Sequence, residues 1–568
     1  MKLRERATPA PGTPAEADMA AVPTAIGPHR VLTVPYLLMA QALIIVALVV
    51  AVLVGVPGWY GAVAGSLAVA LVLVRVRGVS LAGWGAARLV FWAQRRRRRR
   101  HAVVWQPFDA EQPDGAPIGF LWDDTTLVSL IRVEGDVRTL TVIEPPGSVS
   151  GQSVPLRLLA GSLRQNDIVL QSIDVLSHGA RLRSAGPVAA TYDAVLGPLP
   201  AIAERSVWVV LRLAPLQCPD AIRARGGGWD GTLRTAATAT RRVANRLTAT
   251  GLDAQIATAT GLDAAIAELT DGMEPGSIDE RWQTCRDGRS VVQSFQVEPS
   301  MLDSEEFGSL WTVPSKSTTL CVSLRPARDD DTVNVRALAK FHSQGDARSP
   351  LPGLEQLTGR QFDALLHFLP VSTQRRQVGR WAHPRGADTL ARLESPASGC
   401  GQLVGADEHG RAVAVTMFGP RVARVELCGT LHLAQQVVLR ALALGARVRL
   451  RSARAASWQS MVSRIGDPDL LQIAVDGPDG RSQPDSTRQH TVEMFDGVPE
   501  LPVRAGVTVM LVRSAHSEPS HSADVSLQLL DHHRNIATIR TKTHAAMITM
   551  VATDDEMRYL GASFDTSE

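Results

Sequence analysis

An uncharged apolar run near the N-terminus is the strongest constraint on this chain of 568 residues. From Pro35 to Val54 the sequence reads PYLLMAQALIIVALVVAVLV, and a second apolar run follows at Ala62–Val74. At about 1.5 Å per residue, a helix over the first run would cover the roughly 30 Å of hydrocarbon in a bilayer. A cleaved signal peptide would be shorter, closer to the start and without a second run. The sequence therefore predicts a transmembrane helical hairpin over residues 31–76.

Positive charges flank this hairpin on both sides and are absent from the loop between the two runs. Lys2 and Arg30 precede the hairpin, and Arg95–Arg100 follow it. Because loops rich in Lys and Arg stay inside the cell, we expect a two-pass protein of the plasma (inner) membrane with N- and C-termini cytoplasmic. Residues 1–30 are rich in Pro, Ala and Thr, and we expect a disordered tail there.

Residues 77–103 predict a basic, amphipathic juxtamembrane helix. Trp84, Phe91 and Trp92 fall near helical spacing, and a run of arginines ends the segment. A stop-transfer signal would explain the charge but not the aromatic side chains. These three residues are therefore candidates for contact with the lipid bilayer or with a partner's helix.

The charge balance separates the N-terminal segment from the rest of the chain. The net charge is +3, yet acidic residues outnumber basic ones after His101. An acidic body argues against nucleic acid as a partner. The five cysteines are widely spaced and include no C-x-x-C pair, so we expect reduced, buried thiols and neither a disulfide framework nor a zinc site.

Helical and strand patterns alternate through the body. Ser206–Leu213 (SVWVVLRL) is typical of a strand, and Thr232–Thr250 of a long helix. The predicted fold class is α/β: an N-terminal two-helix transmembrane hairpin, a cytoplasmic α/β body over residues 104–375, and a second α/β plus β-rich C-terminal unit over residues 395–568.

A glycine cluster at Arg223–Gly231 (RARGGGWDG) matches the letters of the dinucleotide fingerprint G-x-G-x-x-G. In that fingerprint the first glycine directly follows a strand, whereas here the strand ends near Leu213 and two prolines intervene. We favour a tight turn that opens a packing helix, although the exposed N–H groups there could also hold an anion or a partner's carboxylate. Arg225, Gly226, Gly227 and Gly228 are accordingly candidate partner contacts.

Other sequence signals for a catalytic or metal-binding site are weak. Histidines and aspartates occur close together at His516, His521, Asp524 and Asp531–His533, but they lack the ordered spacing of metal ligands. The sequence contains no P-loop, G-x-S-x-G or H-E-x-x-H motif. We therefore expect no catalytic, cofactor-binding or metal-binding residues and no small-molecule substrate.

Several segments, taken in chain order, resemble the EccE family. Members of this family are membrane subunits of the mycobacterial and actinobacterial type VII (ESX) protein secretion apparatus. The segments are GFLWDDTTLVSLIRV, PLRLLAGSLRQNDIVLQSIDVLSHG, the arginine–triple-glycine block, TTLCVSLRP and GRQFDALLHFLP. The resemblance is strong over residues 31–375, and the region from Gly399 is similar to the extra C-terminal part of longer members.

This resemblance implies a structural, non-catalytic subunit that anchors and stabilises the assembly. EccE-like proteins lie at the periphery of a hexameric inner-membrane complex beside EccB, EccC and EccD, and EccC supplies ATP hydrolysis. The alternative is a membrane-tethered nucleotide- or nucleotide-sugar-dependent enzyme, since α/β folds often bind such ligands.

Overall fold

The computed structural model describes residues 19–21, 34–73, 75–76, 79–100, 105–112, 115–123, 125–136, 139–144, 148–149, 151–184, 186–197, 199–274, 276–302, 305–327, 332–344, 352–372, 378–384, 390, 393, 395–474 and 489–560. The expected disordered tail, residues 1–30, falls almost entirely outside these ranges and stays a prediction.

Two N-terminal helices, Val34–Val54 and Gly58–Leu73, pack against each other and are called the apolar helix pair. Gly61 and Gly65 lie one turn apart on the second helix and allow this close packing, since a Cβ at Gly61 would lie 2.8 Å from the Ala47 carbonyl oxygen. Small residues four positions apart allow two helix backbones to approach in this way.

The predicted transmembrane hairpin is wrong. In the described ranges no helix combines the length and the apolar character that a membrane crossing requires. Gly58–Leu73 has 16 residues. A helix of that length rises about 24 Å, short of the roughly 30 Å of hydrocarbon. In Val34–Val54, side chains are described only from Gln41 onward. The fold class is corrected to a mixed α/β protein with two large sheets.

The first sheet is antiparallel and has 14 strands. Its main path, in spatial order, is Asp279–Glu280, Cys285–Asp287, Ser290–Val297, Val333–Gln344, Ser317–Pro326, Ser172–Ala180, Glu204–Leu213, Leu127–Glu134, Gly115–Trp122 and Phe108–Gln112. The strands off this path are Asp253–Ile256, Leu354–Gln356, Ala382–Pro384 and Met19–Ala21.

Both faces of this sheet are buried, because alternate side chains of its central strands point to opposite sides. Val175 and its partner Val209 face the core that the helix Gly228–Thr248 covers. Leu176 and its partner Trp208 face the second core, which the helices Ala259–Leu269 and Gln361–Leu366 cover. The first unit is thus a sheet between two helical layers.

The second sheet has 12 strands. In spatial order they are Leu471–Ile473, Val448–Ser452, Val492–Asp496, Thr508–Arg513, Arg424–Cys428, Val525–Asp531, Ile536–Thr541, Ala545–Thr549, Gln402–Ala406, Ala412–Val415, Thr141–Glu144 and Ser148–Val149. Neighbours among the first six are parallel, and the remaining pairs are antiparallel.

The two units share chain segments. Thr141–Glu144, from the first half of the sequence, pairs with Ala412–Val415 in the second sheet. The helix Pro187–Leu196 packs in the core of the second unit, where the Tyr192 hydroxyl accepts a 2.8 Å hydrogen bond from the Leu403 N–H. The domain limits given above stay a prediction, and these contacts tie the two halves together.

The remaining described elements are helices and two-stranded pairs outside the two large sheets. The other α-helices are Leu81–Arg100, Leu156–Ala160, Pro219–Ala224, Pro299–Leu302, Leu431–Ala443, Ala455–Ile465 and Asp554–Leu560. The 3-10 helices are Pro215–Gln217 and Glu305–Thr312, and the two-stranded pairs are Arg75–Val76 with Val79–Ser80 and Arg164–Gln165 with Ile168–Val169.

Candidate interaction site

The helix Leu81–Arg100, called the basic helix, docks on the strand pair at residues 279–287 of the first sheet. The Phe91 ring meets the Trp282 ring edge-on, with centroids 5.4 Å apart. The Arg88 guanidinium lies 5.6 Å from the centroid of the same ring, and Arg95 forms a 2.6 Å ion pair with Asp279. One side of the basic helix therefore packs against the first sheet of the same chain.

The outward side of the basic helix is apolar and exposed. Trp92 is 58% exposed and Leu89 is 73% exposed, whereas Phe91 is only 6% exposed. The Trp84 side chain lies outside the described residues. Of the three predicted aromatic contacts, Phe91 thus packs within the chain and Trp92 is available to a partner.

Exposed apolar side chains continue on the apolar helix pair. Ile45, Val49, Leu53 and Leu67 are each more than half exposed. Apolar side chains exposed in this density typically mark an interaction surface. Together with Trp92 and Leu89 they form what is called the apolar N-terminal surface.

The glycine loop, Arg225–Gly228, links the helix Pro219–Ala224 to the helix Gly228–Thr248, called the long helix. Gly226, Gly227 and Gly228 have φ values of +104°, +68° and +57°. Residues other than glycine rarely adopt such backbone angles, so the turn requires glycine at these positions. The interpretation of the glycines as a tight turn is confirmed.

Arg225 fixes the loop to a neighbouring strand pair. Its guanidinium makes two hydrogen bonds to the Asp167 carboxylate, at 2.6 and 3.2 Å. The hydrogen bond from Arg225 holds the pKa of Asp167 below its usual value. Arg225 is therefore already paired within the chain.

The helix Pro219–Ala224 and the turn Pro215–Gln217 separate the glycine loop from the strand Glu204–Leu213. A dinucleotide fingerprint needs the glycines directly after the strand. The loop therefore lacks the geometry of that motif. Trp229, the next residue along, is 45% exposed and rests edge-on against Trp122.

A cleft of about 540 Å³ lies where several strands of the first sheet end. Its lining combines three carboxylates with two cationic side chains, serine hydroxyls and a histidine. The residues are His178, Gly179, Ala180, Leu182, Arg183, Ser184, Glu204, Ser206, Glu268, Asp271, Lys316 and Ser317. Most of these charges are already paired: Arg183 with Glu204, Ser206 with Glu268, and Ser317 with Asp271.

Asp271 is the centre of a buried polar cluster behind the cleft. Its carboxylate lies 3.2 Å from His342 Nδ1 and 3.8 Å from both Lys340 Nζ and His178 Nε2. Burial works to raise the pKa of Asp271, but the contacts with His342 and Lys340 overcome it and hold that pKa well below its usual value. Burial lowers the pKa of His178 to about 4.

Sequence reasoning missed this cluster, because its members come from three distant segments of the chain and follow no local spacing. The histidines considered as metal ligands do not converge: among the described residues, no group of three or more potential ligands could hold an ion. All five cysteines are buried free thiols.

Known proteins resemble this chain. The family model that matches is described as "type VII ESX secretion system translocon, EccE" and covers residues 201–297. The ESX-1 secretion system protein EccE1 of Mycolicibacterium smegmatis is 25% identical over 335 residues, which make up 57% of this chain and 68% of that protein. The ESX-2 secretion system protein EccE2 of Mycobacterium tuberculosis is 26% identical over 452 residues, or 75% and 80% of the two chains.

The chain is similar to proteins of the EccE family. A third EccE relative, the ESX-5 secretion system protein EccE5 of Mycobacterium marinum, is 26% identical over 264 residues, or 43% of this chain and 64% of its own length. The chain thus spans about two thirds of the length of the first two relatives. The family-matched segment contains the strand Glu204–Leu213, the glycine loop and the long helix, so the EccE match falls on the turn that the glycines form.

Proposed function

We propose that this protein is a structural, non-catalytic subunit of a type VII (ESX) secretion complex, which it stabilises by contacts with neighbouring subunits. The observation that carries the proposal is the match of the family model over the glycine loop and the long helix, together with EccE relatives from three ESX systems. The partners we propose are EccB-, EccC- and EccD-like proteins.

The apolar N-terminal surface supports this role. Its side chains have no counterpart within the described part of the chain that buries them, and Trp92 lies next to the arginine run of the basic helix. We propose attachment at the plasma membrane, on the cytoplasmic side, where anionic lipids attract arginine. Lipid and apolar helices of neighbouring subunits both suit such a surface.

Arg225, Gly226, Gly227 and Gly228 form the second proposed contact region. Their support is structural, since the Arg225–Asp167 pair and the positive φ values fix the loop in one conformation. A loop that is rigid before binding loses less conformational entropy when a partner docks.

Co-purification tests the proposal. The tagged full-length chain, extracted in mild detergent from cells that make the secretion system, is expected to bring down an EccC-like ATPase and an EccD-like protein. Trp92→Asp should reduce this yield, whereas Asp555→Asn, in an exposed ion pair on the C-terminal helix, should leave it unchanged. Recovery of the wild-type chain alone, with the other subunits assembled normally in its absence, would overturn the proposal.

A further inference from the structure

The outer face of the long helix carries a row of arginines, called the arginine ridge: Arg234, Arg241, Arg242 and Arg246. Arg234 and Arg246 are exposed, and Arg241 and Arg242 are half-buried. From Arg234 to Arg246 the helix rises about 18 Å. This concentration of positive charge is local, because acidic residues outnumber basic ones in the chain after His101.

Three of these arginines are held in place by neutral acceptors. Arg234 donates to the Arg225 carbonyl at 3.2 Å, Arg242 to the Gln165 carbonyl at 3.3 Å, and Arg246 to Ser162 Oγ at 3.0 Å. Within the described residues none of the three has a carboxylate at ion-pair distance. The nearby acid, Asp167, pairs with Arg225, and its interaction with Arg242 is a weaker, longer-range electrostatic attraction.

Guanidinium groups positioned in this way keep N–H donors for a planar anion. Carboxylates suit them best, because the two groups form paired, charge-assisted hydrogen bonds. Between the arginines, Asn245 is exposed and Thr238 is half-buried, and neither offers an apolar side chain that could insert into lipid. The ridge therefore favours an acidic protein surface over a membrane.

We propose that the arginine ridge docks an acidic segment of another subunit, with carboxylates distributed over about 18 Å, the length of roughly twelve helical residues. This inference rests on the proposed function and specifies the chemistry of one partner. The ridge lies wholly inside the family-matched segment, residues 201–297, as a surface that serves a shared partner would.

Photo-crosslinking tests the proposal in the full-length chain. A benzophenone amino acid at Asn245 is expected to crosslink to a peptide rich in Asp and Glu, identified by mass spectrometry, and the same probe at exposed Gln459 is not. The variant Arg234→Gln/Arg242→Gln/Arg246→Gln should lower this crosslink by about tenfold or more, since tenfold corresponds to only about 1.4 kcal/mol.

Matched controls distinguish an effect of the arginine ridge from an effect of net charge and from a loss of folding. Arg464→Gln/Arg504→Gln/Arg534→Gln removes the same charge from exposed positions of the second unit and should leave the crosslink intact. Circular dichroism melting of both triple variants checks that they fold, and a glutamine-for-arginine variant at Arg246 alone gives a milder test if the triple variant melts early.

Three outcomes would overturn the proposal: crosslinks to lipid or nucleic acid only, crosslinks to a segment without acidic residues, or an unchanged crosslink in the ridge variant. In each of them co-purification of the wild-type chain with the secretion subunits can still succeed, so the ridge would fail while the proposed function stands. Failure of wild-type co-purification would instead reject the proposed function.

Discussion

The Phe91 ring stands at 87° to the Trp282 ring, and this edge-to-face contact attaches the basic helix to the first sheet. Phe91→Ala should remove about 1–3 kcal/mol of docking free energy, from lost burial and the lost aromatic pair. We expect faster amide hydrogen exchange in Leu81–Arg100 and in residues 279–287. Trp92→Ala, one residue along and exposed, is the control; equal exchange in both variants would contradict the docking role of Phe91.

The apolar helix pair should separate when Gly61 gains a side chain. A Cβ there would meet the Ala47 carbonyl oxygen at 2.8 Å, whereas a Cβ at Gly58 would meet nothing within 4 Å. Gly61→Leu should therefore lengthen the distance between spin labels at Ile45 and Val63, and Gly58→Leu should not. Identical distance distributions in the two variants would show that the helices do not pack through Gly61.

The glycine loop should not tolerate alanine at Gly227, where φ is +68°. Gly227→Ala is expected to lower the free energy of unfolding by about 1 kcal/mol, because an L side chain is strained at that angle. Gly276→Ala is the matched control, because Gly276 itself has no positive φ and a Cβ there would meet nothing within 4 Å. Urea denaturation measures both, and equal midpoints would argue against a conformational role for the loop.

A buried ion pair fastens the C-terminal helix. Arg440 donates to both carboxylate oxygens of Glu556, at 2.7 and 3.0 Å, and both side chains are nearly inaccessible to solvent. Glu556→Ala should cost about 3–5 kcal/mol, since it leaves the Arg440 charge buried and unpaired. Breaking the exposed pair with Asp555→Ala should cost less than about 1 kcal/mol. Similar thermal shifts in the two variants would refute this difference.

His178 should make the protein less stable in mild acid. Burial depresses its pKa from 6.5 to about 4 in the folded chain. The unfolded chain therefore binds the extra proton first, and stability falls as the pH drops from about 6.5 to about 4, by up to about 3 kcal/mol. His178→Gln should flatten this limb of a stability–pH curve. An unchanged limb in the variant would assign the acid sensitivity to other groups.

Local patterns in the sequence determined the α/β character, the long helix and the glycine turn. Each depends on residues close together in the chain: a 3.6-residue apolar period, or glycines where φ must be positive. The pairing of Arg225 could not be predicted from local patterns, because its partner Asp167 lies 58 residues away. Nothing in the local spacing indicates that the guanidinium is already paired.

The same reasoning failed at the N-terminus, where hydropathy alone predicted a membrane crossing. Hydropathy describes how a segment partitions between water and lipid, and it contains no information on where the helix of the second run begins and ends or on what packs against it. The tertiary structure gave that helix 16 residues and placed Gly61 and Gly65 against its neighbour.

Only the tertiary structure could decide the long-range relationships. It brought Asp271, Lys340 and His342 together, placed Thr141–Glu144 in the second sheet, and turned Phe91 inward while leaving Trp92 exposed. Side chains adjacent in sequence diverge on a helix, and strands distant in sequence pair when their burial and hydrogen bonding favour it. The sequence specifies the elements, whereas packing among distant elements decides which side chains remain for a partner.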